Sequence, residues 1–195
     1  MKKGIRIFCV LSLVTLALVG CSSSDEGNDK KAAKKLINSI YTVDAQEIID
    51  FSKPIGVTMD SENPMSQEEY DKKSKIELDK MKEIDKEIVA LMTEGGYMGV
   101  SANLFKNVST IICVRNNFTS QVTDITLGEN LYKDYKDYKD NNKVRYPYEV
   151  KFDFISSDGK TNQSDTAKGN LDLVKEDGKW KVCLFSINQH PKLYK

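Results

Sequence analysis

The side chains most often used in catalysis are scarce in this sequence of 195 residues. The one histidine, His190, stands beside Pro191 near the C-terminal end, and a solvated tail position does not suit a general base. One histidine also excludes a histidine-rich metal site, and no metalloprotease, nucleophile-elbow, Walker-type or dinucleotide-binding motif occurs. The remaining acid or phenol candidates are Tyr146, Tyr148 and Asp153. The sequence therefore predicts no catalytic set, no metal site and no cofactor.

Four cysteines offer a different chemistry, because a thiol can carry a lipid, form a disulfide or pack as a small apolar group. Cys9 lies inside an apolar run and is interpreted as a small apolar residue. Neither Cys113 nor Cys183 has the neighbours of an activated nucleophile, so we expect buried free thiols there, with a disulfide as the alternative. Cys21 differs, because it follows the apolar run and Gly20 directly and is itself followed by polar residues.

The first twenty residues have the pattern of a secretory signal peptide. Lys2, Lys3 and Arg6 form a positive start, and residues 7–19 are apolar apart from two hydroxyl side chains. This run is too short to span a membrane, which takes about 20 residues. We therefore predict a signal peptide over residues 1–20 rather than a membrane span or a part of the fold.

The junction Leu18-Val19-Gly20-Cys21 resembles the lipobox of bacterial lipoproteins. The resemblance implies that the Cys21 thiol receives a diacylglyceryl group and that cleavage before Cys21 makes it the first residue. Two acyl chains hold a protein on a bilayer, since each buried methylene contributes about 0.8 kcal/mol. Residues 21–30 are interpreted as the lipidated cysteine and a flexible polar tether. The expected location is the outer face of the cell membrane.

The charge balance argues against nucleic acid as a partner. The whole chain has 29 basic and 29 acidic residues, and loss of the three basic residues in 1–20 leaves 26 against 29, a net charge of −3. A weakly acidic body exerts no long-range attraction on a phosphate backbone.

Helical periodicity dominates the first half of the body. Apolar residues recur at helical spacing over 32–41, and a second short helix follows. A capping box at Ser66 opens a long helix that is predicted to end at Gly95-Gly96. A further helix is predicted from Ser101 to Asn117, although its β-branched residues are also compatible with a strand.

The second half alternates with a period of two, as strands do. Strands are predicted near 122–127, 148–154, 170–175 and 180–187. Asp158-Gly159 and Asp177-Gly178 mark hairpin turns. On the last strand, Val182 and Leu184 are predicted to share one face and Phe185 to lie on the other. Helices grouped before strands predict an α+β fold, with N-terminal helices packed on a curved antiparallel sheet of about four strands.

This order of elements resembles the NTF2-like, or cystatin-like, superfamily over roughly residues 32–188. The stretches that carry the likeness are Tyr41-Thr42-Val43-Asp44, LMTEGGY at 91–97, VTDITL at 122–127, SDGKT at 157–161 and KEDGKWKV at 175–182. They are similar to small lipoproteins of Gram-positive bacteria. The resemblance implies one domain over 31–190, a tail over 191–195, and a cone between helices and sheet. Tyr148, Val150 and Phe152 are the candidate pocket-lining residues of that cone.

The stretch 131–142 repeats Tyr-Lys-Asp three times, a period that fits neither a strand nor a core-facing helix. We interpret it as a solvated loop or a splayed hairpin; the alternative is an aromatic patch that binds a partner. The superfamily includes isomerases, dehydratases, transport factors and binding domains, so the fold alone implies no chemistry. The predicted function is non-catalytic binding of a small apolar ligand in the cone or of an envelope protein. The alternative is an isomerase or dehydratase that uses Tyr148 or another pocket residue.

Overall fold

A computed structural model describes residues 27–51, 66–103, 105–140, 142–160 and 162–194, so Cys21 and the predicted signal peptide lie outside the described residues. The helices are α1 (Asn28–Tyr41), α2 (Ala45–Phe51), α3 (Gln67–Ile84), α4 (Lys86–Leu91), α5 (Glu94–Ala102), α6 (Phe105–Asn116) and α7 (Lys136–Asp140). The strands are β1 (Phe118–Leu127), β2 (Lys143–Ser156), β3 (Asn162–Glu176) and β4 (Lys179–Gln189), with a 3₁₀ turn over Lys192–Tyr194. The predicted α+β class is confirmed. No helix in these ranges combines the length and apolarity needed to cross a bilayer.

The four strands form an antiparallel meander in the order β1-β2-β3-β4. The predicted turns are confirmed, because Gly159, Asp177 and Gly178 all adopt positive φ angles, of 69°, 49° and 76°. The chain itself also contacts both outermost strands. Val43 and Ser120 exchange two backbone hydrogen bonds of 2.9 Å at β1, and Met92 forms a bridge with Val182 at β4.

The core lies between α1 and one face of the sheet, which we call the helix-facing side. The predicted stripe of α1 is buried, and it packs with alternate residues of β2 and β3. These residues are Ala33, Leu36, Ile37, Ile40 and Tyr41 on α1, and Val150, Phe152, Phe154, Leu171 and Leu173 on the sheet. Each large apolar side chain buried here stabilises the fold by roughly 1.5–3 kcal/mol, which explains why α1 is held on the sheet.

The predicted end of the long helix at Gly95-Gly96 is wrong. The helix breaks at Asp85, and both glycines lie inside α5, which begins where the Thr93 hydroxyl accepts the Gly96 N–H at 3.0 Å. A Cβ atom on Gly96 would lie 2.6 Å from the Val182 carbonyl oxygen. The glycine therefore lets α5 pack closely against β4 instead of ending a helix.

The start of the next helix also differs from the prediction. Ser101 lies within α5, and α6 begins at Phe105. The predicted end of α6 is confirmed, because Asn117 adopts a φ of 56°, a left-handed conformation that asparagine tolerates. The helical alternative is correct for this segment despite its β-branched residues.

A one-residue bulge changes the faces of β4. Val182 pairs with Leu173 and Leu184 pairs with Asp172, so Cys183 is an extra residue on β4. Val182 and Phe185 are therefore buried on the helix-facing side, whereas Leu184 lies on the outer face and is 41% exposed. The prediction that Val182 and Leu184 share a face is wrong for this reason.

Both ends of the folded body are fixed by carboxylates. The Tyr146 hydroxyl donates a hydrogen bond to Asp29, which lies in the first turn of α1. Asp165 accepts the backbone N–H groups of Lys192 and Leu193 at 2.7 and 3.3 Å, and so caps the C-terminal 3₁₀ turn. The packed body thus extends beyond the predicted limits of 31–190 in both directions.

Candidate functional site

A buried carboxylate lies on the outer face of the sheet, the face that points away from the helices. Asp172 is 2% exposed, although its neighbours in β3, Leu171 and Leu173, point into the core on the opposite side. Arg145, its partner across β2, donates from Nε to the Asp172 carboxylate at 2.6 Å. Lys143 Nζ lies 3.6 Å from the same carboxylate. Covering a carboxylate carries a desolvation cost, which the hydrogen bond from Arg145 and the nearby Lys143 offset.

The cover over Asp172 is the segment that follows β1. Asn130 starts it, because its side-chain oxygen accepts the backbone N–H groups of Tyr132 at 3.0 Å and of Arg145 at 3.1 Å. The Leu131 N–H also donates to the Arg145 carbonyl at 2.9 Å. The segment is thereby attached to β2, and the Tyr132 hydroxyl donates to Asp172 at 3.0 Å.

Tyrosines three residues apart form an aromatic cluster over this carboxylate. Tyr132 and Tyr138 stack with ring centroids 4.0 Å apart and an interplanar angle of 13°, and Tyr135 meets Tyr138 edge-on at 6.1 Å. Lys143 Nζ lies 5.9 and 5.7 Å from the Tyr132 and Tyr138 ring centroids, within the range of a cation–π interaction. Arg145 lies 5.3 Å from the Tyr132 centroid. We call this cluster the tyrosine patch; its residues are Tyr132, Tyr135, Tyr138, Lys143, Arg145 and Asp172.

The electrostatics of the tyrosine patch keep Tyr132 and Arg145 each in one protonation state. Desolvation, together with the hydrogen bond to Asp172, raises the pKa of Tyr132 to about 12. The same carboxylate raises the pKa of Arg145 through their hydrogen bond. The phenol therefore remains a hydrogen-bond donor and the guanidinium remains charged across the physiological pH range, so the hydrogen bonds of Tyr132 and Arg145 to Asp172 persist over that range.

Part of the tyrosine patch and its rim is open to solvent. Tyr135 is 60% exposed and Leu131 is 50% exposed. The bulge in β4 places exposed Leu184 directly opposite Asp172, so apolar surface flanks the charged centre. Tyrosine and arginine are enriched in the centres of protein interfaces, where a polar rim surrounds apolar anchors. The arrangement can therefore present a rigid aromatic surface to another molecule.

The predicted pocket residues lie on the other side of the sheet. Tyr148, Val150 and Phe152 are all buried, and aromatic rings pack against two of them. Tyr41 stacks on Phe152 with centroids 5.4 Å apart, and Phe185 stacks on Tyr148 at 5.3 Å. The structure brings the three predicted residues together on one face, in contact with core side chains.

The hydroxyls of two phenols on this side, Tyr41 and Tyr148, have neutral hydrogen-bond partners. The Tyr148 and Tyr41 hydroxyls lie 3.1 Å apart, and Tyr148 also donates to the Ser186 carbonyl at 3.3 Å. Burial raises the pKa of both Tyr41 and Tyr148. A general acid or base for neutral pH needs a pKa near 7, so these shifts run in the opposite direction from what catalysis requires.

The other sequence candidates are dispersed. Burial and the bond to Asp29 raise the pKa of Tyr146. Asp153 lies on the outer face, as its alternation predicts, and accepts a hydrogen bond from Ser164 Oγ at 2.7 Å. Tyr148 and Asp153 therefore lie on opposite faces of β2 and cannot form an acid–base pair. His190 is exposed near the C-terminal end.

The two cysteines of the body are free thiols, as preferred from the sequence. Cys113 is buried, and desolvation raises its pKa to about 12, which disfavours the thiolate. Burial also raises the pKa of Cys183, whose Sγ lies 3.5 Å from the Asp172 carbonyl oxygen. In the parts of the chain that the structure describes, no cluster of three or more His, Cys, Asp or Glu side chains is placed to hold a metal ion.

Sequence reasoning favoured a solvated loop for 131–142 and so missed the stacked pair. The period of three was the available signal, because it marks tyrosines that can gather on one side of a turn and a short helix. The period does not reveal the hydrogen-bond acceptor of Tyr132, because Asp172 lies 40 residues later in the chain.

No family model and no curated protein matches this chain. Solved structures with some similarity include a periplasmic fragment of TraM, at 8% identity and a TM-score of 0.40, covering 84% of this chain and 96% of that one. Aln2 from a Streptomyces species is similar at 16% identity and a TM-score of 0.36, over 64% of this chain and 93% of its own. The intermembrane space region of the chloroplast protein ARC6 is similar at 6% identity and a TM-score of 0.34, over 54% of this chain and 78% of that one. Similarities of this size support no conclusion about function.

Proposed function

We propose that this protein is a lipid-anchored protein on the outer face of the cell membrane and that its domain binds another envelope protein through the tyrosine patch. The observation that carries the binding role is the Tyr132–Tyr138 stack, fixed on the buried Asp172 carboxylate while Tyr135 stays exposed. Side chains that are already ordered lose little conformational entropy on binding, so such a surface gains affinity. The anchor rests on the lipobox at Cys21.

A protein partner on the outer face is favoured over a small apolar ligand in the cone. The predicted lining residues Tyr148 and Phe152 already contact Phe185 and Tyr41, respectively. A ligand at this position would have to displace stacked core rings, which close-packed interiors resist. The tyrosine patch needs no such rearrangement, because Tyr135 already projects into solvent.

Binding is also favoured over the isomerase or dehydratase alternative. Tyr148 would be the reacting group, but burial raises its pKa and its hydroxyl neighbours are Tyr41 and the Ser186 carbonyl. Neither neighbour is a base that could take up its proton near neutral pH.

The anchor and the patch are tested separately. Mass spectrometry of the mature N-terminus should show cleavage before Cys21 and the mass of a diacylglyceryl group on its sulfur. An unmodified Cys21 thiol, or a chain that retains residues 1–20, would contradict the anchor.

The binding role is tested by affinity purification of the lipidated protein from its native cell after chemical crosslinking. Wild type is compared with the double variant Tyr135→Ala/Leu184→Ser and with the matched surface variant Ile76→Ser, whose side chain is exposed on α3. We expect an envelope protein whose recovery falls roughly tenfold or more in the patch variant, because central interface residues contribute about 2 kcal/mol or more each. Recovery should be unchanged in the α3 variant. Equal recovery from all three proteins would contradict the role of the patch.

A further inference from the structure

The point where the chain enters the folded body is fixed to the start of β2. Helix α1 begins at Asn28, and Asp29 accepts a hydrogen bond from the Tyr146 hydroxyl. Lys30 Nζ lies 5.8 Å from the centroid of the same tyrosine ring. The N-terminal end of α1 is therefore held against the fourth residue of β2, on the helix-facing side.

The tyrosine patch lies at the same end of the sheet, on the opposite face. Arg145 precedes Tyr146 in β2, and Lys143 is the first residue of the strand. The turn that contains Lys160 lies beyond the other end of β2, after Ser156. At about 3.3 Å per residue, these two ends of the strand are separated by roughly 40 Å.

The length of chain between anchor and body limits how far this end can lie from the membrane. Cys21 and Asn28 are seven peptide units apart. A fully extended chain spans at most about 3.6 Å per residue, so the start of α1 is held within about 25 Å of the lipidated residue. Since the tyrosine patch lies at the same end of the sheet as this start, the short link keeps the patch within reach of the zone just outside the bilayer.

The charges of the patch distinguish a protein from the lipid surface itself. Segment 129–140 contains three lysines and four acidic residues, and Lys143, Arg145 and Asp172 add a charge of +1, so this surface as a whole has no net charge. Lys133 is also engaged by Glu129 at 2.5 Å. Binding to anionic headgroups requires an excess of basic side chains, whereas mixed charges around apolar anchors suit the rim and centre of a protein interface.

From this placement we infer that the partner is an integral membrane protein, whose extracellular segment contacts the tyrosine patch close to the bilayer. This rests on the proposed function, because it requires both the lipid anchor and a binding role of the patch. The partner's segment carries both signs of charge around an apolar or aromatic residue. The short link to the membrane keeps patch and partner at a high effective concentration.

The test uses the full chain, exported and lipidated in its native cell, with a photo-reactive amino acid at position 135. A matched protein carries it at position 160, where the Lys160 side chain is 83% exposed at the far end of the sheet. A third protein carries it at 135 and has twenty Gly/Ser residues inserted between Glu26 and Gly27. We expect a discrete adduct at 135 with a protein that stays in the membrane after alkaline carbonate extraction, and no such adduct at 160. The insertion lengthens the link from seven to 27 peptide units and should lower the yield about eightfold, because effective concentration falls roughly as the −3/2 power of linker length.

Each other outcome overturns the inference in a distinguishable way. An adduct with a soluble protein, formed in equal yield with and without the insertion, would support the patch as a binding surface but contradict a membrane partner. Adducts with lipid alone would assign the patch to the bilayer. Equal labelling at 135 and 160 would reject the patch as a docking surface. Mass spectrometry of Cys21 on the same samples reports independently whether the anchor, and with it the proposed location, is correct.

Discussion

The two faces of this sheet use tyrosine for opposite purposes. On the helix-facing side, the Tyr41 and Tyr148 hydroxyls lie 3.1 Å apart and both rings are buried. On the outer face, the Tyr132 hydroxyl donates to the Asp172 carboxylate, and a lysine and an arginine flank the rings. A neutral pair of phenols can be sealed in the core at little cost, whereas a charged partner must keep its cations near water. In these two clusters, a neutral partner thus accompanies the pair that closes the core, and a charged partner accompanies the cluster that reaches the surface.

The largest effect should come from the core of the helix-facing side. Phe152→Ala removes a ring that stacks on Tyr41, and we expect it to lower the free energy of unfolding by about 3–5 kcal/mol. Urea unfolding measures this. Lys151→Ala, on the opposite face of the same strand, is the control and should change stability by no more than about 0.5 kcal/mol. A loss at Lys151 as large as that at Phe152 would show that the two faces do not differ as described.

A smaller effect is expected at the centre of the outer face. Asp172→Ala leaves Arg145 and the Tyr132 hydroxyl without their shared acceptor, and should cost about 2–3 kcal/mol. The surface pair Glu149–Lys168, at 2.7 Å, is the control, and Glu149→Ala should cost no more than about 1 kcal/mol. If the two variants unfold at the same urea concentration, Asp172 does not organise the tyrosine patch.

The buried phenols should show a dependence on alkaline pH. Tyr148→Phe removes a hydroxyl that is hydrogen-bonded to Tyr41, and near neutral pH it should cost about 1 kcal/mol. Because burial raises the pKa of Tyr148 above its unfolded value of about 10, the folded state holds this proton more tightly. Wild type therefore loses stability as the pH rises above 10, and the variant loses less.

The measurement is urea unfolding at neutral pH and near pH 11, with Tyr132→Phe as the outer-face comparison. The pKa of Tyr132 is raised to about 12, so the stability that its protonated hydroxyl contributes is lost between pH 10 and 12. We expect the stability advantage of wild type over Tyr148→Phe to shrink as the pH rises. An advantage of wild type that grows with rising pH would contradict this account.

The smallest effect on stability should come from the most exposed member of the tyrosine patch. Tyr135→Ala should change the free energy of unfolding by less than about 0.5 kcal/mol, since the side chain is 60% exposed. Recovery of the crosslinked partner should nevertheless fall. A variant that keeps full recovery would show that the outer face serves stability alone.

Periodicity predicted the core well, because it reports directly which side chains are removed from water. The stripe of α1 that ends at Tyr41 and the alternation of β2 around Phe152 could both be found in this way. The position of Leu184 could not, since a single extra residue at Cys183 reverses the faces of the strand and leaves no mark in the composition.

The role of Gly96 and the organisation of the tyrosine patch depend on distant contacts. Gly96 was interpreted as a helix stop, but its missing side chain serves an approach to Val182, which lies in the last strand. Asp172 alternates with core residues and so has the pattern of an ordinary polar position on the outer face. Only the fold shows that Tyr132 covers it. Local sequence patterns identify which residues are buried. A surface built from two separate segments can be predicted only when it is known that those segments meet in the fold.

The bridges at Val43–Ser120 and Met92–Val182 have a consequence for how the molecule behaves among its own copies. An open outermost strand is a template onto which a second molecule can add a strand, and such addition begins aggregation. Here the connections that follow α1 and α4 occupy backbone groups on β1 and β4 at these two points. Continuous growth of the sheet from one molecule to the next would first have to detach segments that are anchored in the core, which disfavours self-association through the sheet edges even at high concentration.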